Sequence, residues 1–301
     1  MKKCLRMLRI CGLMAAVMLL SAVSAFAAET DWNASVITVE GMGVAPTYAY
    51  NNPVQARMLA RRAAEADAYR QLLEVVKGVQ VDAETTVENM MVQSDRITTR
   101  VSGLVQGARK VEEHALPEGG YVITMQLPLF GASNSVASTV MERPTKMEAF
   151  PPQVPSVAPS TSSISVKVDV TPTVSKIPTE QPKSISLPEG RAAGNFTGLI
   201  VDCRGLGLKP VMSPVIKNAN GTPIYGYKNL DYDKVISSGM AGYTEDITNS
   251  PRAGSNPLVV RAVSLENHNG NPVISVADAN RVLMENDATK FLDKTNVVFV
   301  R

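Results

Sequence analysis

The sequence predicts an α+β protein: two two-layer α+β domains joined by a proline-rich linker, the first a long helix on a mostly antiparallel sheet. Three observations predict it. A helix-period pattern from Pro53 to Gly78 is flanked by strand-like runs. Almost half of the chain's 19 prolines fall between Glu142 and Gly194. Beyond them short β-rich runs resume, with one helix signal near the carboxyl end.

The amino-terminal segment reads as a secretory signal peptide over residues 1–27. Lys2, Lys3, Arg6 and Arg9 precede an apolar run from Ile10 to Leu20, and small residues lead to Ala25-Phe26-Ala27. A basic flank, a short apolar stretch and an A-x-A site place the cut between Ala27 and Ala28. The run is shorter than the ~20 residues of a membrane span. Neither Cys4 nor Cys11 follows a lipobox, so no lipid anchor is expected. Export removes four of the 30 basic residues and leaves 26 against 28 acids, a net charge near −2. That balance offers no phosphate-neutralising patch, so nucleic acid is not expected as a partner. No later apolar run approaches the length of a span, so no transmembrane segment is expected in the mature chain. Cys203 then stands alone, without a disulfide partner, and the remaining length suits two modest cores.

The first domain is placed at 32–141. Val36 to Glu40 alternates as a strand, which Gly41-Met42-Gly43 is expected to break. Pro53 at the start and Gly78 past the end bracket a long helix. Leu59, Ala63, Ala66, Leu73 and Val76 are its expected buried stripe, with Ala66 at the centre, where a larger side chain would overpack the core. Strands are expected over Val79 to Val87, Gly103 to Glu113 and Tyr121 to Leu129, the last two joined by the turn Pro117-Glu118-Gly119-Gly120. Met90 to Val101 gives no clear element. The Pro/Ser/Thr-rich linker covers 142–194 and holds one strand-like island at 164–170, where Ile164, Val166, Val168 and Val170 alternate with polar residues. The carboxy-terminal α+β domain covers 195–301. Its expected strands are Gly198 to Asp202, Val211 to Ile216, Pro223 to Tyr227, Leu258 to Val263 and Val297 to Val300. Ser275 with Asp278 opens its helix, expected to end near Asn286. No helix-strand alternation long enough for a doubly wound sheet is visible.

Several linked blocks carry a family resemblance. They are Leu59 to Glu74 (LARRAAEADAYRQLLE), Lys77 to Val81, Thr85 to Val87, Val101 to Arg109, Gly119 to Val122 and Leu127 to Gly131. In order and spacing they resemble the domain shared by the twenty-kilodalton outer-membrane lipoprotein family and the amino-terminal part of flagellar assembly protein T. The resemblance covers about 32–131 and implies an envelope protein with no catalytic residues, in some members a builder of rings around the flagellar motor. The missing lipobox departs from the lipoprotein members and agrees with flagellar assembly protein T. The block from Gly198 to Pro214 is similar to one that accompanies such domains in other envelope proteins.

The residues themselves offer little chemistry. His114 and His268 are the only histidines, and no zinc-ligand spacing exists, so no metal, cofactor or catalytic set is expected. Cys203 after Leu-Ile-Val reads as a small buried hydrophobe. Gly205-Leu206-Gly207 lacks the rest of a nucleotide-binding pattern and reads as a turn. Asp202 with Arg204 is the best candidate ligand pair, weighed against a local pair that fixes that turn. Arg61, Arg62 and Arg70 form a candidate partner-binding face, and Asp67 is within reach of Arg70. The expectation is a non-catalytic periplasmic or outer-envelope assembly protein, not an enzyme, whose partners are envelope or flagellar basal-body proteins or further copies of itself. The alternative is a periplasmic binding module for a cell-wall polymer or small anionic ligand.

Overall fold

A computed structural model of the protein describes residues 28–117, 119–153 and 191–301. The expected signal peptide over residues 1–27 and the expected strand-like island at 164–170 lie outside the described residues. In chain order the elements are β1 (Glu29–Asp31), β2 (Val36–Val44), α1 (Pro53–Gly78), α2 (Val87–Gln93), α3 (Asp95–Gln106), β3 (Arg109–Ala115), β4 (Gly120–Pro128) and α4 (Val136–Val140). They continue with β5 (Gly198–Asp202), β6 (Ile216–Asn218), β7 (Pro223–Tyr225), α5 (Tyr232–Ser238), β8 (Gly242–Thr244), β9 (Pro257–Glu266), β10 (Asn271–Ile274), α6 (Val276–Thr289) and β11 (Val297–Val300). Contacts divide the described residues into two compact units. Of the described residues, one draws on 28–31, Val36–Val76 and 102–127, the other on Trp32–Ser35, Lys77–Val101, 128–153 and 191–301.

The first unit is the expected helix on a sheet, in strand order β1-β2-β4-β3. Pro53 and Gly78 bound α1 as the sequence predicts. Two details differ. The strand does not break at Gly41-Met42-Gly43 but runs on to Val44. Those glycines are needed because α1 lies directly on them. A Cβ at Gly43 would sit 2.2 Å from the Ala64 nitrogen and 2.3 Å from the Ala60 oxygen, and one at Gly41 would sit 2.3 Å from the Ala64 oxygen. The buried stripe is also shifted. It is Ala60, Ala64, Ala68, Leu72 and Val76, spaced by four, whereas Ala63 and Ala66 are exposed and Leu59 and Leu73 half-buried. The alanine row that meets the glycines is the one that turns inward, since only small groups on both sides allow backbones so close.

The expected strand over Gly103 to Glu113 begins only at Arg109, because Ile97, Val101, Leu104 and Val105 bury one face of α3 at helical spacing. The turn after Pro117 is a hairpin as expected, pairing Ala115 with Tyr121. Met90 to Val101, silent in the sequence, belongs to α2 and α3. Thr86 caps α2 by accepting from the Asn89 N–H.

The second unit holds a seven-stranded sheet in the order β7-β6-β10-β9-β5-β11-β8. Its centre is parallel: β5 pairs in parallel with β9 and β11, and β11 with β8. Val79 to Val87 is not a strand. Asp82 Oδ1 accepts the N–H groups of Glu84 and Thr85, which folds the segment into a tight turn. The Gln80 and Val81 carbonyls then accept from the N–H groups of Met212 and Ser213. Of Val211 to Ile216 only Ile216 joins a strand, since Pro214 has no N–H to donate. Strands β6 and β7 flank the expected turn, where Asn218 Oδ1 accepts from Asn220 and Thr222. Ser275 caps α6, which runs past Asn286 to Thr289 and ends at Lys290 in the left-handed conformation. The start of the proline-rich stretch is held as well. The Glu142 carbonyl accepts from the Tyr227 hydroxyl, the Glu148 N–H donates to the Lys228 carbonyl at 2.8 Å, and Arg143 meets Asp233 at 2.6 Å.

A buried carboxyl group and a part-buried guanidinium hold this unit. Glu285 is 0% exposed and accepts the N–H groups of Ala193 and Gly194 at 2.8 and 2.9 Å, fastening the chain just before β5. Arg252 donates from Nε to the Thr295 carbonyl at 2.7 Å and from its two terminal nitrogens to Ser238 and Gly239 carbonyls and the Thr295 hydroxyl.

Candidate functional site

Asp202 ends the central parallel strand β5, and Arg204 follows two residues later. Arg204 gives Nε to Asp202 Oδ1 at 2.8 Å and a terminal nitrogen to Oδ2 at 2.7 Å, while its backbone N–H also reaches Oδ1. This bidentate contact holds the Asp202 carboxyl below its usual range and raises the Arg204 guanidinium. Gly205 and Gly207 follow at φ +80° and +76°, the turn the sequence predicts. The guanidinium is therefore engaged by the carboxylate beside it, and the pair shapes the chain where it leaves the sheet.

Cys203 lies between them, fully buried. Burial, with the Asp202 charge, pushes its thiol up from an ordinary value near 9 to about 12. Burial raises the Tyr225 and Tyr243 phenols too. A thiol so protected is no nucleophile at neutral pH. The native protein should resist a thiol reagent that labels it fully in denaturant; prompt native labelling would contradict the burial. Groups raised on folding contribute stability that is complete below their unfolded values and is lost as pH climbs through the folded ones. Melting temperature should thus fall progressively above about pH 9, and a flat profile up to about pH 11 would contradict this.

The three arginines of α1 are not brought together. At about 100° per residue, Arg61 and Arg70 point in opposite directions. Arg61 binds Glu113 at 2.8 Å, and this partner raises its guanidinium. Arg70 meets Asp67 at 2.8 Å, as expected, and also Glu74. Arg62 is exposed. His114 sits on the exposed strand β3, and His268 faces the Ala83 carbonyl at 3.2 Å.

A cleft of about 610 Å³ lies within the second unit and went unread in the sequence. Asp82, Glu84, Glu148, Lys228, Asn229 and Asn267 line it. Asn267, His268 and Asn269 all take positive φ, a strained turn pinned where Asn267 donates to Glu84 at 2.6 Å. The run of asparagines was its only sequence signal. Among the described residues no group of three or more His, Cys, Asp or Glu could hold a metal, and no helix is long and apolar enough to cross a membrane.

Comparison with known proteins adds two matches, one in each part of the chain. No curated protein matches the sequence. Residues 45–127, which run from α1 through β3 and nearly to the end of β4, match the LPP20 lipoprotein family. Residues 198–301, the whole span from β5 to β11, match the family of the second domain of Treponema pallidum Tp0624. The chain thus joins a stretch similar to the LPP20 lipoproteins to a stretch similar to the Tp0624 second domain.

Proposed function

We propose that the protein is an exported, non-catalytic component of the bacterial envelope that takes part in building an outer-envelope structure, the flagellar basal-body ring being the specific candidate. The match of residues 45–127 to the LPP20 lipoproteins carries this reading. The basic, apolar and A-x-A succession before Ala28 supports export into the periplasm. Two α+β modules on a proline-rich tether, with Arg62 on the open face of α1, suit a part that bridges partners. The other reading, a module for a cell-wall polymer or small anionic ligand at Asp202 and Arg204, draws less support because Asp202 already engages the guanidinium.

The test pairs capture with a phenotype. Affinity capture from envelope fractions should recover basal-body ring proteins, and deletion should reduce motility and flagellar number. A deletion strain that swims normally with normal flagella sinks the flagellar reading. Loss of a different surface structure would then keep the envelope-assembly reading alone.

A further inference from the structure

From Gly41 to Ala64 the chain has no acidic residue and three arginines, Arg57, Arg61 and Arg62. The same stretch exposes Met42, Val44, Tyr48, Tyr50, Val54 and Met58, each between 56% and 73% accessible. Their places in the fold bring most of them to one end of the first unit. Val44 ends β2, Tyr48 and Tyr50 lie in the short connection, and Val54, Met58 and Arg62 follow one another by fours along α1. Val54, Met58 and Arg62 border one shallow concavity of about 380 Å³. Tyr50, Arg57 and Leu116 border a second of about 340 Å³, beside the β3–β4 turn.

The charge at this end does not serve the helix. A helix amino terminus favours acids, yet the first turn of α1 carries none, and Arg57 adds a cation there. Only the neutral Asn52 side chain receives an early N–H, that of Gln55. Arg61 is neutralised by Glu113, while Arg57 and Arg62 are exposed and make no ion pair among the described residues. An apolar patch rimmed by cations marks a surface that meets something else.

We propose that this end is a docking surface for a bilayer that carries anionic lipid. Val44, Val54 and Met58 enter the headgroup boundary, Tyr48 and Tyr50 lie at that level with ring buried and hydroxyl wet, and Arg57 and Arg62 meet lipid phosphates. A second copy fits less well, because a two-fold contact through this patch would set unpaired arginines against their own duplicates. The inference deepens the envelope reading and rests on it. It also supplies a means of membrane attachment to a chain whose cysteines have no lipobox before them.

Sedimentation with lipid vesicles tests it, using protein purified from the envelope. Binding should occur with vesicles of phosphatidylcholine and phosphatidylglycerol and not with phosphatidylcholine alone, and should weaken as salt rises. Arg57→Gln with Arg62→Gln should lower affinity about 30-fold. Tyr50→Ser with Val54→Ser and Met58→Ser should abolish binding. All five positions are exposed, so both variants should melt like the wild type. The arginine variant alone decides the matter if the apolar one unfolds. No vesicle binding, equal binding to neutral vesicles, or binding indifferent to the arginine variant overturns the proposal. So does a dimer seen by sedimentation that the apolar variant dissociates while vesicles bind nothing. None of these outcomes alters the capture and motility results, so the two readings fail separately.

Discussion

Gly43→Ala should destabilise the first unit by roughly 3 kcal/mol or more and lower cellular abundance accordingly. One added methyl would stand 2.2 Å from the Ala64 nitrogen and 2.3 Å from the Ala60 oxygen. Both are main-chain atoms inside a helix, so no side-chain rotation can relieve the overlap. The whole of α1 would have to lift off β2, which opens the packing of Ala64, Ala68 and Leu72 as well. Denaturant unfolding followed by circular dichroism measures the loss. Ala66→Leu is the matched control: Ala66 is exposed, so this change should stay within about 0.5 kcal/mol, the reverse of what the stripe read from sequence predicts. A Gly43→Ala protein as stable as wild type would show that helix and strand do not lie in contact.

Arg252→Ala should cost the second unit about 3–5 kcal/mol. The guanidinium gathers the carbonyls of Ser238, Gly239 and Thr295 and the Thr295 hydroxyl, joining the end of α5 to the segment that precedes β11. Its loss leaves these acceptors without a donor in a site largely closed to water. Burial lowers the Arg252 guanidinium from its usual value, so the site tolerates the charge only because the acceptors surround it. Arg252→Lys keeps the charge but not the planar fork, and should recover only part of the loss. Arg204→Ala, at an exposed pair, should cost about 1 kcal/mol or less. Equal melting temperatures for the Arg252 and Arg204 alanine variants would refute the distinction.

What the sequence discloses follows how local each cause is. The ends of α1 are legible because Pro53 and Gly78 act on their own backbone. The inward face is not. A helix with alanine on several sides offers no single stripe, and the choice was made by Gly41 and Gly43 on another element. Those glycines look like a strand break when read alone. The tight turn at Asp82 was hidden by the valines around it, which favour a strand until one carboxylate takes the next two N–H groups. Asp202 and Arg204 were found because they stand two residues apart. Arg252 and Glu285 were not, since the partners of Arg252 lie between 13 and 43 residues away in sequence and those of Glu285 lie 91 and 92 away. The cation-rimmed patch was half legible: its missing acids are countable, but the exposure of Tyr48 and Met58 is a property of the fold.

The parallel pairing of β5 with β11 has a mechanical meaning. Strand β5 begins at Gly198 and its parallel neighbour β11 ends at Val300, so these two points lie at opposite ends of one ladder. A pull applied between them would slide the strands past each other along their length. All the ladder bonds from Leu199 to Asp202 would then bear the load together, rather than parting one after another as in an unzipping hairpin. Strand β9, parallel to β5 on its other side, resists the same sliding, and the Glu285 carboxylate takes the first strain through Ala193 and Gly194. Tension between Gly198 and Val300 therefore loads this ladder in shear.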